Sequence, residues 1–424
     1  MSFTPHPGFF RTLVARRGQG GVASLCSAHP MVIEAALARA ARAGNSVLIE
    51  ATCNQVNHRG GYTGATPAMF RDSVLAVAEK HDVAPAQIIF GGDHLGPLPW
   101  RDAPAATALR EAEACVRAFA TAGFAKIHLD TSMACADDPP CLPEIVIAER
   151  AARLAAAAED AARDAGYAPP HYVIGTEVPP AGGGHGDAGA ITPTTPDAAM
   201  ATLALHHEIF ARCGLHDAIT RIIAIVVQPG IEYDNFGVML YQPAQARALS
   251  NALSRMPGLV YEAHSTDYQP VSALRALVAD GFAILKVGPA LTFALREALY
   301  ALDSVARILD GDGAESLVTI MEKVMQETPK FWQSHCIGDD RSQKIQRHYG
   351  FSDRIRYYWS SDAAEAAVTA LLARFAMSDL PKPLMHHFFP ALRSRVLAGE
   401  RFSGRALVLA AIDQVLDEYE AALG

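Results

Sequence analysis

Several short polar clusters in this chain each end an apolar run. The clearest is Gly91-Gly92-Asp93-His94-Leu95-Gly96-Pro97 behind Ile88-Ile89-Phe90. Others are Lys126-Ile127-His128-Leu129-Asp130, Gly175-Thr176-Glu177 behind Tyr172-Val173-Ile174, and Glu262-Ala263-His264 with Asp267 just beyond. Glu50 stands near the end of Val47–Thr52, Gln228 closes the run from Ile222, and Lys286 interrupts Phe282–Val287. Imidazoles and carboxylates gathered at one place suit a divalent metal such as Zn²⁺. Such a metal can polarise a sugar carbonyl or stabilise an enediolate.

These residue types point to His94, Glu177 and His264 as metal ligands, with His128 as an alternate member. Asp93 is then the acid/base beside the metal, and Asp130 or Asp267 orients a ligand or a substrate hydroxyl. Glu50, His128, Gln228 and Asp267 form the ligand-binding set. Taken singly, any of them is as readily a hydrogen-bonded polar residue at a rim; taken jointly, they argue for chemistry. Lys286, with Asp93 and Asp130, is a catalytic candidate with two readings. It could form a Schiff base with a carbonyl, or, the favoured reading, serve as a charge partner for Glu50 or Glu262 or as a phosphate contact.

The elements that position these residues repeat in a regular way. Strand-like runs fall at Gly21–Ser27, Ser46–Thr52, Gln87–Asp93, Lys126–Ser132, His171–Val178, Ile222–Gln228, Leu259–His264 and Phe282–Val287, with helical patterns between them. Near-continuous apolar strands separated by helices mean a parallel sheet, and eight such units over about 270 residues mean a (β/α)₈ TIM barrel. A doubly wound open sheet is the runner-up. In a barrel the carboxyl ends of all strands share one mouth, so the polar clusters converge there. Within a strand, alternation puts His128 with Asp130, and Glu262 with His264, on common faces. Asp93 and His94 are adjacent and would point apart unless the strand ends between them, which Gly91-Gly92 makes plausible.

The domain reading is a TIM-barrel domain over 1–291 and a helical C-terminal extension over 292–424 packed on it. Helical patterns there cover Ala294–Leu309, Leu317–Gln326, Ala363–Ala376, Pro390–Leu397 and Gly404–Ala422. The segment Arg354-Ile355-Arg356-Tyr357-Tyr358-Trp359 reads first as packing or a partner surface, with substrate contact as the minority reading.

The 424 residues are 50% apolar and 19% charged, ample for a large core. A net charge of −9 argues against nucleic acid or an anionic membrane as partner. No apolar run reaches the roughly 18 residues of a membrane span, and Met1–Gly20 has basic residues but no apolar stretch typical of a secretory signal. Seven scattered Cys without a C-x-x-C pair fit neither a zinc ribbon nor a disulfide framework; a reduced cytoplasmic protein is expected. The chain lacks G-x-x-x-x-G-K-[ST], and Gly182-Gly183-Gly184-His185-Gly186 has no following Lys-Ser/Thr. Neither a kinase nor a nucleotide cofactor is expected, and that Gly run reads as a lid or loop.

The stretches Cys26-Ser27-Ala28-His29-Pro30, Leu48-Ile49-Glu50-Ala51-Thr52-Cys53-Asn54-Gln55-Val56, Gly60-Gly61-Tyr62-Thr63-Gly64, Gly91–Pro97, Lys126–Asp130, Ile174–Val178 and Glu262-Ala263-His264-Ser265-Thr266-Asp267-Tyr268-Gln269 resemble the GatZ/KbaZ family over nearly the whole chain. The resemblance implies a TIM barrel acting in galactitol or N-acetylgalactosamine catabolism. It implies an accessory, non-catalytic subunit of class II D-tagatose-1,6-bisphosphate aldolase, a lyase, needed by a smaller zinc aldolase subunit as partner. An oligomer is expected. Asp93-His94 is similar to the class II aldolase pair in which His binds zinc and Asp donates a proton. The family's label as tagatose-6-phosphate kinase conflicts with the missing nucleotide motif. The family's loop after the fifth strand reads Pro-Gly-Gly-Glu where this chain has Gly182–His185, which implies a different sugar if the loop touches ligand. The alternative to the accessory role is a stand-alone divalent-metal-dependent aldolase or epimerase of sugars or sugar phosphates.

Overall fold

The computed structural model describes residues 8–175, 191–311, 315–377 and 380–424. Its centre is a closed barrel of eight parallel strands. These are β1 (Val22–Cys26), β2 (Val47–Thr52), β3 (Ile88–Leu95), β4 (Lys126–Leu129), β5 (His171–Ile174), β6 (Ile222–Val226), β7 (Val260–Ala263) and β8 (Phe282–Val287). Each pairs with its neighbour in sequence, and β8 returns to β1. The expected eight-stranded barrel is therefore the observed one, and the open sheet is excluded. Chain order equals barrel order, so the carboxyl ends of all eight strands open on one mouth.

The apolar strands are buried on both faces, as parallel strands covered by helices must be. The helices lie where caps and breakers predict them. Thr66 accepts from the Met69 amide and Pro67 opens helix Pro67–Lys80, and Gly44, at φ 66°, ends helix Pro30–Ala43 in the left-handed region. Helix Phe9–Ala15 was not anticipated. Its Phe10 and Leu13 join Leu48, Ile89, Val173 and Ile284 in a small core at the amino end of the barrel, so this helix plugs the bottom.

The extension is helical as expected, with Leu317–Glu327, Asp362–Arg374, Arg393–Leu397 and Gly404–Leu423, and with Asp340–Tyr349 and Lys382–Phe388 besides. The boundary at 291/292 falls inside helix Pro289–Asp310, which follows β8 directly. Helix Gly404–Leu423 packs against helices Pro30–Ala43, Val271–Ala279 and Pro289–Asp310 and against β1. It occupies the outer-ring position between the helices after β7 and β1. The Tyr419 hydroxyl meets the Thr266 hydroxyl at 2.8 Å and donates to the Thr266 carbonyl, and Gly21 N–H donates to Leu423 C=O. The last helix thus completes the ring that the barrel's own helices leave open. Among the described residues, no helix is long and apolar enough to cross a membrane.

Candidate functional site

Asp93 and His94 both reach the mouth, by a route other than the expected one. The strand does not end between them: β3 continues to Leu95. Instead His94 adopts φ 47°, and the register against β4 slips between Gly92 and Leu95. This bulge turns two consecutive side chains to the same end, at the cost of a left-handed conformation that L-residues seldom adopt. The glycines around it are required by close approach. A Cβ on Gly91 would lie 2.6 Å from Glu50 Oε1, and one on Gly96 would collide with the Asp130 carbonyl oxygen. Ser265, next to His264, is likewise left-handed at φ 55°.

Three imidazoles converge at this mouth. The His94 and His128 ring centres are 4.9 Å apart, His94 and His264 4.7 Å, and His128 and His264 5.2 Å. Each ring is held by its own carboxylate. His94 Nδ1 lies 2.7 Å from Asp130 Oδ2, His128 Nδ1 3.1 Å from Asp93 Oδ1, and His264 Nε2 3.0 Å from Glu262 Oε1. His128 Nδ1 is also 3.3 Å from the His94 amide. The shorter, charge-assisted contact to Asp93 assigns the proton to His128 Nδ1. Each ring then has its second nitrogen free of its carboxylate partner, and the buried His128 Nε2 has no hydrogen-bond partner. One ligand atom from each of Asp93, His94, His128 and His264 lies within 4.8 Å of the others. A carboxylate behind each imidazole is the outer-shell arrangement of metal-binding histidines. The donor set fits a divalent cation, with His128 a full member rather than an alternate. Glu177 lies outside the described residues, as does the Gly182–Gly186 loop.

Burial and neighbouring charges pull the site's pKa values in different directions. Burial pushes the Asp93 carboxyl up, but His94, Lys286, His128 and His264 outweigh it and hold it well below the usual carboxylate range. Burial and the neighbouring His94 lower His264 to about 3, so it is neutral and able to ligate near pH 7. Burial lowers His94 as well, but Asp93 and Asp130 reverse this and leave it raised.

Below the imidazoles lies a layer of buried charge. Lys126 Nζ is 2.7 Å from Glu50 Oε1 and 2.8 Å from Glu262 Oε2, with all three side chains inaccessible to solvent. These contacts are at ion-pair distance but off the line a hydrogen bond needs. Lys286 Nζ is 2.8 Å from Asp93 Oδ1 and also bonds Glu50. Burial lowers the Lys286 pKa, but Asp93, Glu50 and Glu262 overcome this and raise it well above the usual value. The ammonium form dominates, and a Schiff base needs the free amine. The structure places Lys286 as the charge partner of Glu50 and Asp93. Lys126 was not singled out as a site residue, yet the signal existed: it shares the face of His128 and Asp130 by the two-residue period. In this inner layer Asp93, Glu50, Glu262 and Asp130 are set against Lys126 and Lys286, so carboxylates outnumber ammonium groups around the imidazoles.

Two predicted ligand residues also make local hydrogen bonds, and Asp267 still lines the cavity at the mouth. Asp267 Oδ1 accepts from the Gly288 amide at 3.0 Å and the Ala290 amide at 2.8 Å. It satisfies the start of helix Pro289–Asp310, the kind of place that otherwise seats a phosphate. Gln228 Oε1 accepts from the Gly230 and Ile231 amides at 2.7 and 2.9 Å and shapes its own turn.

The mouth opens into a cavity of about 640 Å³ whose walls include Asp93, His94, Asp130, His264 and Lys286. The extension supplies the far wall, with Ser334, His335, Arg354, Arg356 and Tyr357. The aromatic and basic segment read first as packing therefore borders the site.

Fold and site together define a (β/α)₈ barrel whose mouth gathers donors fitting a divalent cation beside a polar cavity. The chain belongs to the GatZ/KbaZ-like family: the family model described as D-tagatose-1,6-bisphosphate aldolase subunit GatZ/KbaZ-like matches residues 11–424. It is 50% identical over 416 residues, 97% of each chain, to a D-tagatose 6-phosphate 4-epimerase of Agrobacterium fabrum strain C58. It also matches the crystal structure of a probable tagatose 6 phosphate kinase from Sinorhizobium meliloti 1021, with a TM-score of 0.87 and 48% identity over 95% of this chain and 100% of that one. The fold is shared with the fructuronate-tagaturonate epimerase UxaE from Cohnella laeviribosi, with a TM-score of 0.50 and 12% identity, covering 99% of this chain and 83% of that one.

Proposed function

We propose that this chain is itself an enzyme, a divalent-metal-dependent epimerase acting at C4 of a phosphorylated 2-ketohexose, with D-tagatose 6-phosphate as the first substrate to try. The observation that carries this reading is the set of three imidazoles, each braced by a carboxylate, gathered around the buried Asp93. A chain that only propped up a partner would have no physical need to bury such a cluster and hold it in left-handed backbone. The 50% identity to a protein named for this epimerisation supports the same reading.

The chemistry follows from the substrate's own bonds. The hydrogen on C4 is not acidic, because C4 lies β to the C2 carbonyl. Inversion without a redox cofactor therefore runs through C3–C4 cleavage. Asp93, ionised and central, takes the proton from the C4 hydroxyl. The C3–C4 bond breaks to give an aldehyde and a three-carbon enediolate. The aldehyde turns its other face, the bond re-forms, and Asp93 returns the proton to O4. His94, His128 and His264 would hold the cation, which supplies a Lewis acid for the negative charge of the enediolate. Lys286 keeps Asp93 ionised and positioned; Asp130 and Glu262 orient His94 and His264.

Purified protein loaded with Zn²⁺ or Mn²⁺ is expected to interconvert D-tagatose 6-phosphate and D-fructose 6-phosphate with no second chain present. The accessory-subunit reading rests on the family's description. It predicts instead no turnover alone and a gain in aldol cleavage of D-tagatose 1,6-bisphosphate on adding a class II aldolase subunit.

A further inference from the structure

The helix start after β8 offers no free anion seat, because Asp267 already takes the Gly288 and Ala290 amides. A phosphorylated substrate must be held elsewhere on the cavity wall. Two arginines stand there, Arg354 and Arg356, contributed by the short 3₁₀ turn Arg354–Tyr358 of the extension. Neither forms an ion pair among the described residues. Of the carboxylates within electrostatic reach, Asp353 accepts from the Thr292 hydroxyl through Oδ2 at 2.5 Å and leaves its buried Oδ1 without a hydrogen-bond partner, and Asp267 binds two amides through Oδ1. Both guanidinium groups converge on one phenol. Arg356 Nη2 is 3.0 Å and Arg354 Nη1 3.4 Å from the Tyr357 hydroxyl. Both also lie over the Tyr357 ring, at 4.5 and 4.9 Å.

The pair is preorganised. Arg356 Nη1 donates to the carbonyls of Ser352 and Asp353, and Arg354 Nε donates to the Phe331 carbonyl at 2.8 Å. This leaves Arg356 Nε and Arg354 Nη2 without a hydrogen-bond partner among the described residues. The paired positive charge is felt by Tyr357: burial raises its phenol, but Arg356 and Arg354 outweigh burial and lower it. Fixed guanidinium forks with spare donors and no carboxylate at ion-pair distance are the residue type that recognises phosphate oxygens.

We infer that Arg356, with Arg354 beside it, binds the phosphate end of the substrate and makes the extension the part of the chain that selects phosphorylated over free sugars. This rests on the reading of the site as one for a phosphorylated ketose. Arg356 and Arg354 are specificity residues and take no part in bond making.

The test is a calorimetric titration of the metal-loaded full chain with inorganic phosphate, joined to steady-state kinetics on D-tagatose 6-phosphate and on D-tagatose. Arg356→Gln is expected to weaken phosphate binding by about tenfold or more. It should lower kcat/KM for the phosphorylated sugar roughly a hundredfold while changing it less than about threefold for the free sugar. Arg356→Lys, which keeps the charge and loses the fork, should fall between, and bound metal should be unchanged in both. Arg101, an exposed cation on the same cavity, is the control, and Arg101→Gln should leave phosphate affinity intact. Equal phosphate affinity in wild type and Arg356→Gln, or a loss confined to Arg101→Gln, overturns the assignment. The titration needs no turnover, so Arg356-dependent phosphate binding in a protein without epimerase activity would sink the proposed reaction and leave the phosphate site standing.

Discussion

His128 and Asp93 meet at 3.1 Å, Nδ1 to Oδ1, and the other nitrogen of that buried ring has no hydrogen-bond partner. An imidazole braced on one side and bare on the other is stable in a buried site when the bare nitrogen ligates. The chain is therefore expected to bind one divalent ion. His94→Ala, His128→Ala and His264→Ala should each cut metal affinity by at least about 10–100-fold, read by titration after chelation. Three variants that bind metal as wild type does would remove the imidazoles from the site.

Asp93 has a second partner in Lys286, and its role separates from that of the rings. Asp93→Asn keeps the size and loses the proton-accepting group. Turnover is expected to fall by about 10²–10⁴-fold, far more than metal affinity, because general base catalysis is worth that much. A parallel loss of both would make Asp93 a ligand first and a base second.

Lys126 is buried between Glu50 and Glu262. Lys126→Met removes the cation and leaves both carboxylates in the barrel interior. Such a one-sided deletion costs about 3–5 kcal/mol. Chemical denaturation should show this; a loss below about 1 kcal/mol would mean that water or protons compensate the pair readily.

The extension has its own pH-dependent anchor. Glu322 takes a two-pronged contact from Arg347, 2.6 Å at the closer oxygen, and accepts from His348 Nε2 at 2.9 Å. Burial raises the Glu322 pKa, but Arg347, with Gln326 and His348, brings it down to about 2 from 4.5. A carboxyl whose folded pKa is depressed stabilises the fold above its unfolded pKa and loses that contribution as pH falls through the folded one. Glu322→Gln should thus cost about 1 kcal/mol at pH 7. The gap to wild type should narrow below pH 4.5 and close near pH 2. A gap independent of pH would assign the loss to packing.

The barrel was legible because parallel strands covered on both faces leave continuous apolar runs, and all eight are where the runs fall. His128–Asp130 and Glu262–His264 were legible as shared faces for the same reason. Asp93-His94 was legible as a pair but not as a bulge, since a left-handed histidine leaves no mark on its own residue type. Gln228 and Asp267 look like strand-tip ligands in sequence; only three dimensions show Gln228 Oε1 and Asp267 Oδ1 committed to nearby amides. The arginines of the extension read first as packing because their approach to the mouth depends on the path of distant helices, which periodicity does not encode. The last helix reads as an ordinary amphipathic segment, and its place in the barrel ring is likewise a matter of tertiary geometry.

The central claim is that this chain alone, given a divalent cation, inverts C4 of a phosphorylated ketose. It is tested most directly by following D-tagatose 6-phosphate with the purified protein after chelation and again after adding Zn²⁺ or Mn²⁺. The account predicts D-fructose 6-phosphate only when metal is restored, and none from His264→Ala. Metal-bound protein that leaves D-tagatose 6-phosphate unchanged, and gains a reaction only when a smaller aldolase subunit is added, would contradict it.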